Sequence, residues 1–90
     1  MTMTGISTTG KQCLRPVQFH DIVVRVPCHI RYLATDSDGA TYGFIGNRPF
    51  WNPVKGTWFN PKCTPQFVDT GGMTPNIDPN CSCVLVQAHL

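Results

Sequence analysis

Glycine and proline interrupt the chain so often that long helices have little room to form. The 90 residues contain eight of each, spread at short intervals from Gly5 to Pro79. Inside a helix, glycine costs about 1 kcal/mol and proline about 3 kcal/mol relative to alanine. The acidic residues also disfavour helices, because all five are Asp, which prefers turns and caps, and the chain has no Glu. The sequence therefore predicts short strands joined by turns.

The apolar pattern predicts a mostly β fold, a small antiparallel sheet or partly open barrel of five to six short strands. Residues 1–12 lack apolar periodicity and are predicted to be a flexible N-terminal tail, while residues 13–90 form a single β-rich domain. Residues 19–26 read as one strand, and residues 81–89 as the last. Short strand pairs need another layer to be stable, so we expect a homo-oligomer.

A hairpin is predicted in the middle of the chain. Asp36-Ser37-Asp38-Gly39 has the residues of a tight turn, with an acid at its start and a glycine that tolerates positive φ at its end. Strands are predicted on both sides of it, over residues 28–35 and 40–45.

A second predicted hairpin carries four aromatic rings around a turn with Pro53 and Gly56. Neighbours on a strand point to opposite faces, so each strand sends one ring inward and one outward. Exposed aromatic and arginine side chains are typical of protein interfaces. Packing inside the fold or between copies of the chain is the alternative use of these rings. The predicted partner-binding residues are Phe50, Trp51, Trp58, Phe59, Arg31 and Arg48.

The loop around two consecutive glycines is the candidate ligand site. Gly71 and Gly72 can direct backbone N–H groups towards an anion, and Thr74 adds a hydroxyl. The loop lacks the Gly-Lys-Ser/Thr ending of a phosphate-binding loop, and a simple turn is the alternative. We predict these three residues as contacts for a small ligand such as a nucleotide.

The five cysteines are expected to be reduced thiols. Residues 1–11 contain no apolar segment typical of an export signal, which predicts a cytoplasmic protein without disulfides. A zinc site is the alternative, with Cys63, Cys81, Cys83 and His89 as ligands. Its Cys-x-Cys spacing is not the usual C-x₂₋₄-C, so we expect small buried hydrophobes and no cofactor.

Other function classes find little support in the residues. There is no G-x-S-x-G motif, and the absence of Glu leaves little material for paired carboxylates, so no enzyme is predicted. The net charge is only +2, with scattered basic residues, whereas nucleic-acid binders usually show a basic patch. No apolar run approaches the roughly 20 residues of a membrane span.

Residues 32–44, with the sequence YLATDSDGATYGF, resemble a hairpin found in many short phage and prophage proteins. In those proteins a strand, an Asp/Asn-Gly turn and a second strand precede a hairpin containing Pro and Trp. The chain departs from them near its end, where Cys83-Val84-Leu85 lacks the Trp of their Trp-Ser-Leu-like block.

The resemblance implies a small accessory protein that acts in the cytoplasm of an infected bacterium. Such proteins include inhibitors of host defence, some of which bind a host protein while others sequester a signalling nucleotide between subunits. Three hypotheses follow for this chain. It is a noncatalytic inhibitor that binds a host protein, a binder of a small nucleotide, or a zinc-stabilised module.

Overall fold

The computed structural model describes residues 13–86, which form eight short strands and one turn of 3₁₀ helix. All strand pairs are antiparallel, which confirms the mostly β fold class. The predicted tail, residues 1–12, lies outside the described residues. The strands are β1 (Leu14–Phe19), β2 (Ile22–Pro27), β3 (Tyr32–Thr35), β4 (Thr41–Phe44), β5 (Phe50–Asn52), β6 (Thr57–Phe59), β7 (Gln66–Val68) and β8 (Val84–Leu85), and the 3₁₀ turn spans Pro79–Cys81.

A four-stranded sheet in the order β7-β4-β3-β8 is the middle layer of the fold. The β1–β2 hairpin packs against one face and the β5–β6 hairpin against the other, and none of the three sheets closes on itself. Successive side chains of β3 point to opposite faces of the central sheet. Leu33 therefore packs in the first core, on the β1–β2 side, and Ala34 in the second core, on the β5–β6 side. Coverage on both faces explains why β3 is apolar or buried at nearly every position.

The first core fills the space between the β1–β2 hairpin and the central sheet. Along β2, inward and outward residues alternate strictly, so Val23 and Arg25 face outward. Burying one large apolar side chain contributes about 1.5–3 kcal/mol, which makes this layer the main source of stability. Its buried members are Phe19, Ile22, Val24, Val26, Ile30, Leu33, Val68 and Val86.

The apolar run over residues 19–26 is two strands, which corrects the prediction of one. A two-residue turn at His20 and Asp21 reverses the chain, and the adjacent Phe19 and Ile22 pair across it. His20 has a φ of 56°, a left-handed conformation that His adopts more readily than β-branched residues do. Its ring Nε2 lies 2.8 Å from the carbonyl oxygen of Ser82. No glycine marks this turn, so the sequence pattern does not reveal it.

The strands predicted over residues 28–35 and 81–89 are also shorter than expected. β3 begins only at Tyr32, because the chain turns at Cys28 and the N–H of Ile30 donates to the Pro27 carbonyl oxygen at 3.1 Å. Pro79 opens a 3₁₀ turn that ends at Cys81, which leaves β8 as a two-residue strand. Cys81 and Cys83 therefore lie outside the last strand, although both fall within the strand predicted over residues 81–89.

Cys13 and Cys28 form a disulfide with their Cα atoms 5.3 Å apart, so the prediction of five reduced thiols is wrong for these two. The bond closes the open end of the β1–β2 hairpin, where the N–H of Cys28 donates to the Cys13 carbonyl oxygen at 2.7 Å. The turn at His20 sets the register that brings the two thiols together. The other three cysteines, Cys63, Cys81 and Cys83, are free. Disulfides persist mainly in oxidising compartments, and cytoplasmic localisation stays a prediction.

Replacing both bridged residues, Cys13→Ser with Cys28→Ser, should lower the free energy of unfolding by about 3 kcal/mol. The disulfide spans a sequence separation of 15, and closing a loop of that length restricts the unfolded chain by roughly this amount. Urea unfolding with and without dithiothreitol measures the effect. The matched control, Cys63→Ser, should keep the full sensitivity to reductant. An unfolding midpoint that reductant leaves unchanged in the unmodified chain would contradict the disulfide's role.

Candidate functional site

The β5–β6 hairpin divides its four aromatic rings between two faces. Phe50 pairs with Phe59 and Trp51 with Trp58, with ring centroids 5.8 Å and 5.4 Å apart. Phe50 and Phe59 are 57% and 44% exposed, whereas Trp58 is only 8% exposed and Trp51 is half-buried. The expected division into one inward and one outward ring per strand is confirmed. We call the outward rings of Phe50 and Phe59 the Phe pair.

Trp58 is a structural anchor, which corrects its prediction as a partner contact. Its indole N–H donates to the carbonyl oxygens of Thr35 at 3.1 Å and Pro79 at 3.0 Å. Its backbone N–H donates to Oδ1 of Asp36 at 2.8 Å. The side chain packs with Ala34 in the second core. Because its ring and its donors are used inside the fold, Trp58 is not free to meet a partner.

The turn of this hairpin is held against the β3–β4 turn. The N–H of Ser37 donates to the Gly56 carbonyl oxygen at 2.8 Å. Gly56 has a φ of 67°, and a Cβ there would collide with the Ser37 hydroxyl. Both the positive φ and the close approach require glycine at this position. The two predicted turns thus contact each other, and this contact attaches the turn of the hairpin that carries the Phe pair to the β3–β4 turn.

Asp36 is a buried carboxylate at this junction. Burial raises the pKa of its carboxyl group, the hydrogen bond from the Trp58 backbone lowers it in part, and the negative charge of Asp38 raises it further. A carboxyl pKa that is higher in the folded chain than in the unfolded chain means that ionisation of Asp36 opposes folding. The hydrogen bond it accepts favours folding, so its charge and its acceptor atom act in opposite directions.

The two predicted arginine contacts occupy different surroundings. The guanidinium of Arg48 lies over the Tyr32 ring, 6.0 Å from its centroid, and Arg48 precedes Phe50 by two residues in the chain. This cation–π contact orients an exposed charge close in sequence to the Phe pair. Arg31 is exposed just before β3, and within residues 13–86 no hydrogen bond, ion pair or ring contact joins its side chain to the aromatic hairpin.

The glycine loop is a self-contained turn with an acid inside it. Gly71 and Gly72 have φ values of 68° and 82°, which only glycine adopts readily. The N–H of Gly71 donates to Oδ1 of Asp69 at 2.8 Å, and the Thr70 hydroxyl donates to the Met73 carbonyl oxygen at 2.7 Å. A donor predicted to face an anion is therefore occupied by a carboxylate of this chain.

Two open grooves lie on either side of β7. The first, of about 480 Å³, is lined by Gly71 and Arg25 as well as Asp69. The second, of about 350 Å³, is lined by Gly72 and Thr74 together with Asp38 and Asp69. Neither predicted arginine, Arg31 or Arg48, lines them. Phosphate binding by Gly71, Gly72 and Thr74 stays a prediction, and the local negative charge disfavours it.

The predicted zinc ligands are not brought together in the part of the chain that the structure describes. Cys81 is exposed on the 3₁₀ turn, Cys83 is buried in the second core, and the Cys63 thiol donates to the Ile45 carbonyl oxygen at 3.1 Å. Burial raises the pKa of the Cys83 thiol, and nearby Arg48 lowers it only in part. A protonated thiol is a poor metal ligand. Within residues 13–86 no group of three or more His, Cys, Asp or Glu could hold a metal, and His89 lies outside them.

The sequence reasoning missed two features of the surface. Phe67 on β7 is 67% exposed and contacts Tyr42 edge to face, with ring centroids 6.0 Å apart. Arg25, on the outer face of β2, lines the first groove. The alternation along β2 signals an outward Arg25. The place of Phe67 at a sheet edge is set by strand order, which no local pattern carries.

Comparison with known proteins identifies no relative of this chain. No protein family matches it, and neither a curated protein nor a solved structure is significantly similar to it. Among residues 13–86, no helix is long and apolar enough to cross a membrane. The similarity of residues 32–44 to phage proteins stays a prediction.

Replacing Asp36 by Asn should stabilise the protein at pH 7, whereas Asp36→Ala should destabilise it by about 1–3 kcal/mol. Asn keeps an oxygen that accepts from the Trp58 N–H and removes the buried charge, but Ala leaves that donor without an acceptor. The unfavourable charge is present above the raised folded pKa and disappears as the pH falls below the unfolded pKa. Urea unfolding at pH 7 and pH 3 measures both effects. The gain from Asn should shrink at pH 3, and a gain equal at both pH values would contradict a charge effect.

Proposed function

We propose that this chain is a noncatalytic binding protein whose contact surface is the outer face of the β5–β6 hairpin. The Phe pair is the centre of that surface, and Arg48 supplies a charge at its side. One observation carries the proposal. Two large apolar rings are exposed side by side, at 57% and 44%, on a hairpin whose other face is anchored in the core.

The anchoring of the hairpin makes these exposed rings suitable for binding. Aromatic side chains lose little conformational entropy on binding, and a hairpin fixed by Trp58 and Gly56 adds little further cost. The exposed parts of the two rings together amount to about one whole Phe side chain, on the order of 200 Å². That is below the roughly 800 Å² per partner of a stable interface. The Phe pair would therefore be the central anchor of a larger contact.

The surroundings of the Phe pair suit the rim of such a contact. Asn52 and Thr57 pair on the hairpin next to Trp51 and Trp58, and the alternation of the strands places them on the face of the Phe pair. Val54, an apolar side chain at the tip of the hairpin beyond this polar pair, is 91% exposed. A polar rim around an apolar centre is the usual arrangement at protein interfaces.

The partner we propose is a protein of the bacterial host, and the role is inhibition of a host defence factor. The resemblance of residues 32–44 to short phage proteins supports this class of partner. The small net charge of +2 and the apolar character of the Phe pair favour a protein over nucleic acid. The nucleotide-binding alternative draws less support, because acids line the grooves at the glycine loop.

Replacing both rings of the Phe pair by Ala should reduce partner affinity at least thirtyfold, since a hot-spot residue contributes about 2 kcal/mol or more. The unmodified chain and the double variant are each immobilised and incubated with bacterial lysate. Quantitative mass spectrometry compares the proteins that the two capture. The dissociation constant is then measured with the purified protein that the unmodified chain captures. The double variant should keep its melting temperature, because both rings are exposed.

Two controls separate binding from folding in this experiment. Met73→Ala removes another exposed apolar side chain, outside the hairpin, and should leave capture intact. Trp58→Ala should lower the free energy of unfolding by about 3–5 kcal/mol, because it empties a core site. Capture that survives loss of the Phe pair would contradict the proposed surface. A protein whose mass doubles in solution, and returns to one subunit in the double variant, would assign the Phe pair to self-association instead.

A further inference from the structure

We propose that the groove between β2 and β7 binds an extended peptide segment of a partner protein, which adds to the free edge of β2 as a further strand. This site is separate from the Phe pair, because β1–β2 and β5–β6 cover opposite faces of the central sheet. The residues that line the groove include Leu14, Val23, Arg25, Phe67, Asp69 and Gly71.

The register of the β1–β2 hairpin shows which backbone groups of β2 are available. The N–H of Cys28 donates to the Cys13 carbonyl oxygen, so these residues form a hydrogen-bonded pair. Such pairs alternate along antiparallel strands. The backbone groups of Val24 and Val26 therefore point to β1, and those of Val23 and Arg25 point away from it. No hydrogen bond to another described residue uses these outward groups.

β7 forms the opposite wall of the groove and is itself the edge of the central sheet. Among the described strands, the three-residue β7 pairs only with β4, and Phe67 lies between two residues that pair with Thr41 and Gly43. The groove volume of about 480 Å³ is within the range of about 300–1,000 Å³ that is usual for ligand sites. At about 3.3 Å per residue, the free edge from Val23 to Arg25 spans about 10 Å. This length suits three residues of an extended chain.

The side chains of the groove define the chemistry of the occupant. Leu14, Val23 and Phe67 are 45%, 59% and 67% exposed and offer apolar contacts. Arg25 lies on one wall and Asp69 on the other, and within the described chain no ion pair joins them. Charge complementarity therefore favours a segment with alternating apolar and charged residues, an acid opposite Arg25 and a base near Asp69. Main-chain hydrogen bonds supply affinity in this mode of recognition, and side-chain pockets supply specificity.

The test uses the full chain labelled with ¹⁵N and a five-residue synthetic peptide. The peptide alternates valine with charged residues, carries one Glu and one Lys, and is capped at both ends. We expect the amide signals of Val23 and Arg25 to shift on titration, and their hydrogen exchange to slow at least tenfold at saturation. A second peptide with N-methyl groups on alternate residues cannot donate from the face that pairs with β2. It should bind at least tenfold more weakly.

One substitution in the chain tests the same hydrogen bonds from the other side. Val23→Pro removes an N–H that points away from β1, and proline is tolerated at such edge positions. Its affinity for the peptide should fall at least tenfold, while the matched variant Val23→Thr keeps the N–H and should bind normally. If the proline variant does not fold, the N-methylated peptide on the unmodified chain decides the question.

Several results would overturn the proposal. The proposal fails if both peptides bind with equal affinity, if the amide signals that shift lie only in the β5–β6 hairpin, or if no binding is detected at millimolar peptide. Protection of the Val23 and Arg25 amides that rises with protein concentration, without peptide, would assign the groove to a second copy of this chain. Protection in the free chain at every concentration would mean that another part of the same chain covers the edge. Loss of the Phe pair should leave peptide binding unchanged, so this site and the proposed function can fail separately.

Discussion

The indole N–H of Trp58 lies between two backbone carbonyl oxygens, of Thr35 and Pro79, that belong to distant parts of the chain. One side chain thereby ties β6 to β3 and to the 3₁₀ turn. The buried Ser82 hydroxyl adds to the junction, because it accepts from the Thr35 N–H at 2.8 Å and lies 2.6 Å from the Pro79 oxygen. Buried polar groups that are all satisfied specify a single arrangement, whereas a missing partner costs about 1–3 kcal/mol. The positions of β6 and of the 3₁₀ turn relative to β3 depend on this junction.

The candidate binding surface is a consequence of the same junction. Because Trp58 is drawn into the core, its neighbour Phe59 must face outward, and the register places Phe50 beside it. The exposed rings are thus held by buried ones. Asp36 reinforces the arrangement through its hydrogen bond to the Trp58 backbone, although its buried charge opposes folding at neutral pH.

Small size accounts for both proposed surfaces and for the disulfide. A chain of 90 residues buries a smaller fraction of its surface than a large domain, so edges and apolar side chains remain uncovered. Within residues 13–86 the uncovered features are the outer face of the β5–β6 hairpin and the outer edge of β2, on opposite sides of the central sheet. The Cys13–Cys28 bond fastens the outermost hairpin, whose β1 pairs with no described strand other than β2. Cross-linking of this kind is how small domains compensate for a limited core.

The sequence by itself determined the local features: the β class, the turns at residues 36–39 and 53–56, and the division of the four rings between two faces. Turn chemistry and the two-residue period of a strand are properties of neighbouring residues. Only the tertiary structure decided that Trp58 is an anchor, that Cys13 meets Cys28, and that β2 and β7 form a groove. Each depends on register and strand order, which follow from packing between segments far apart in the chain. The turn at His20, which no glycine marks, divides residues 19–26 between two strands and sets every residue pair of the first hairpin.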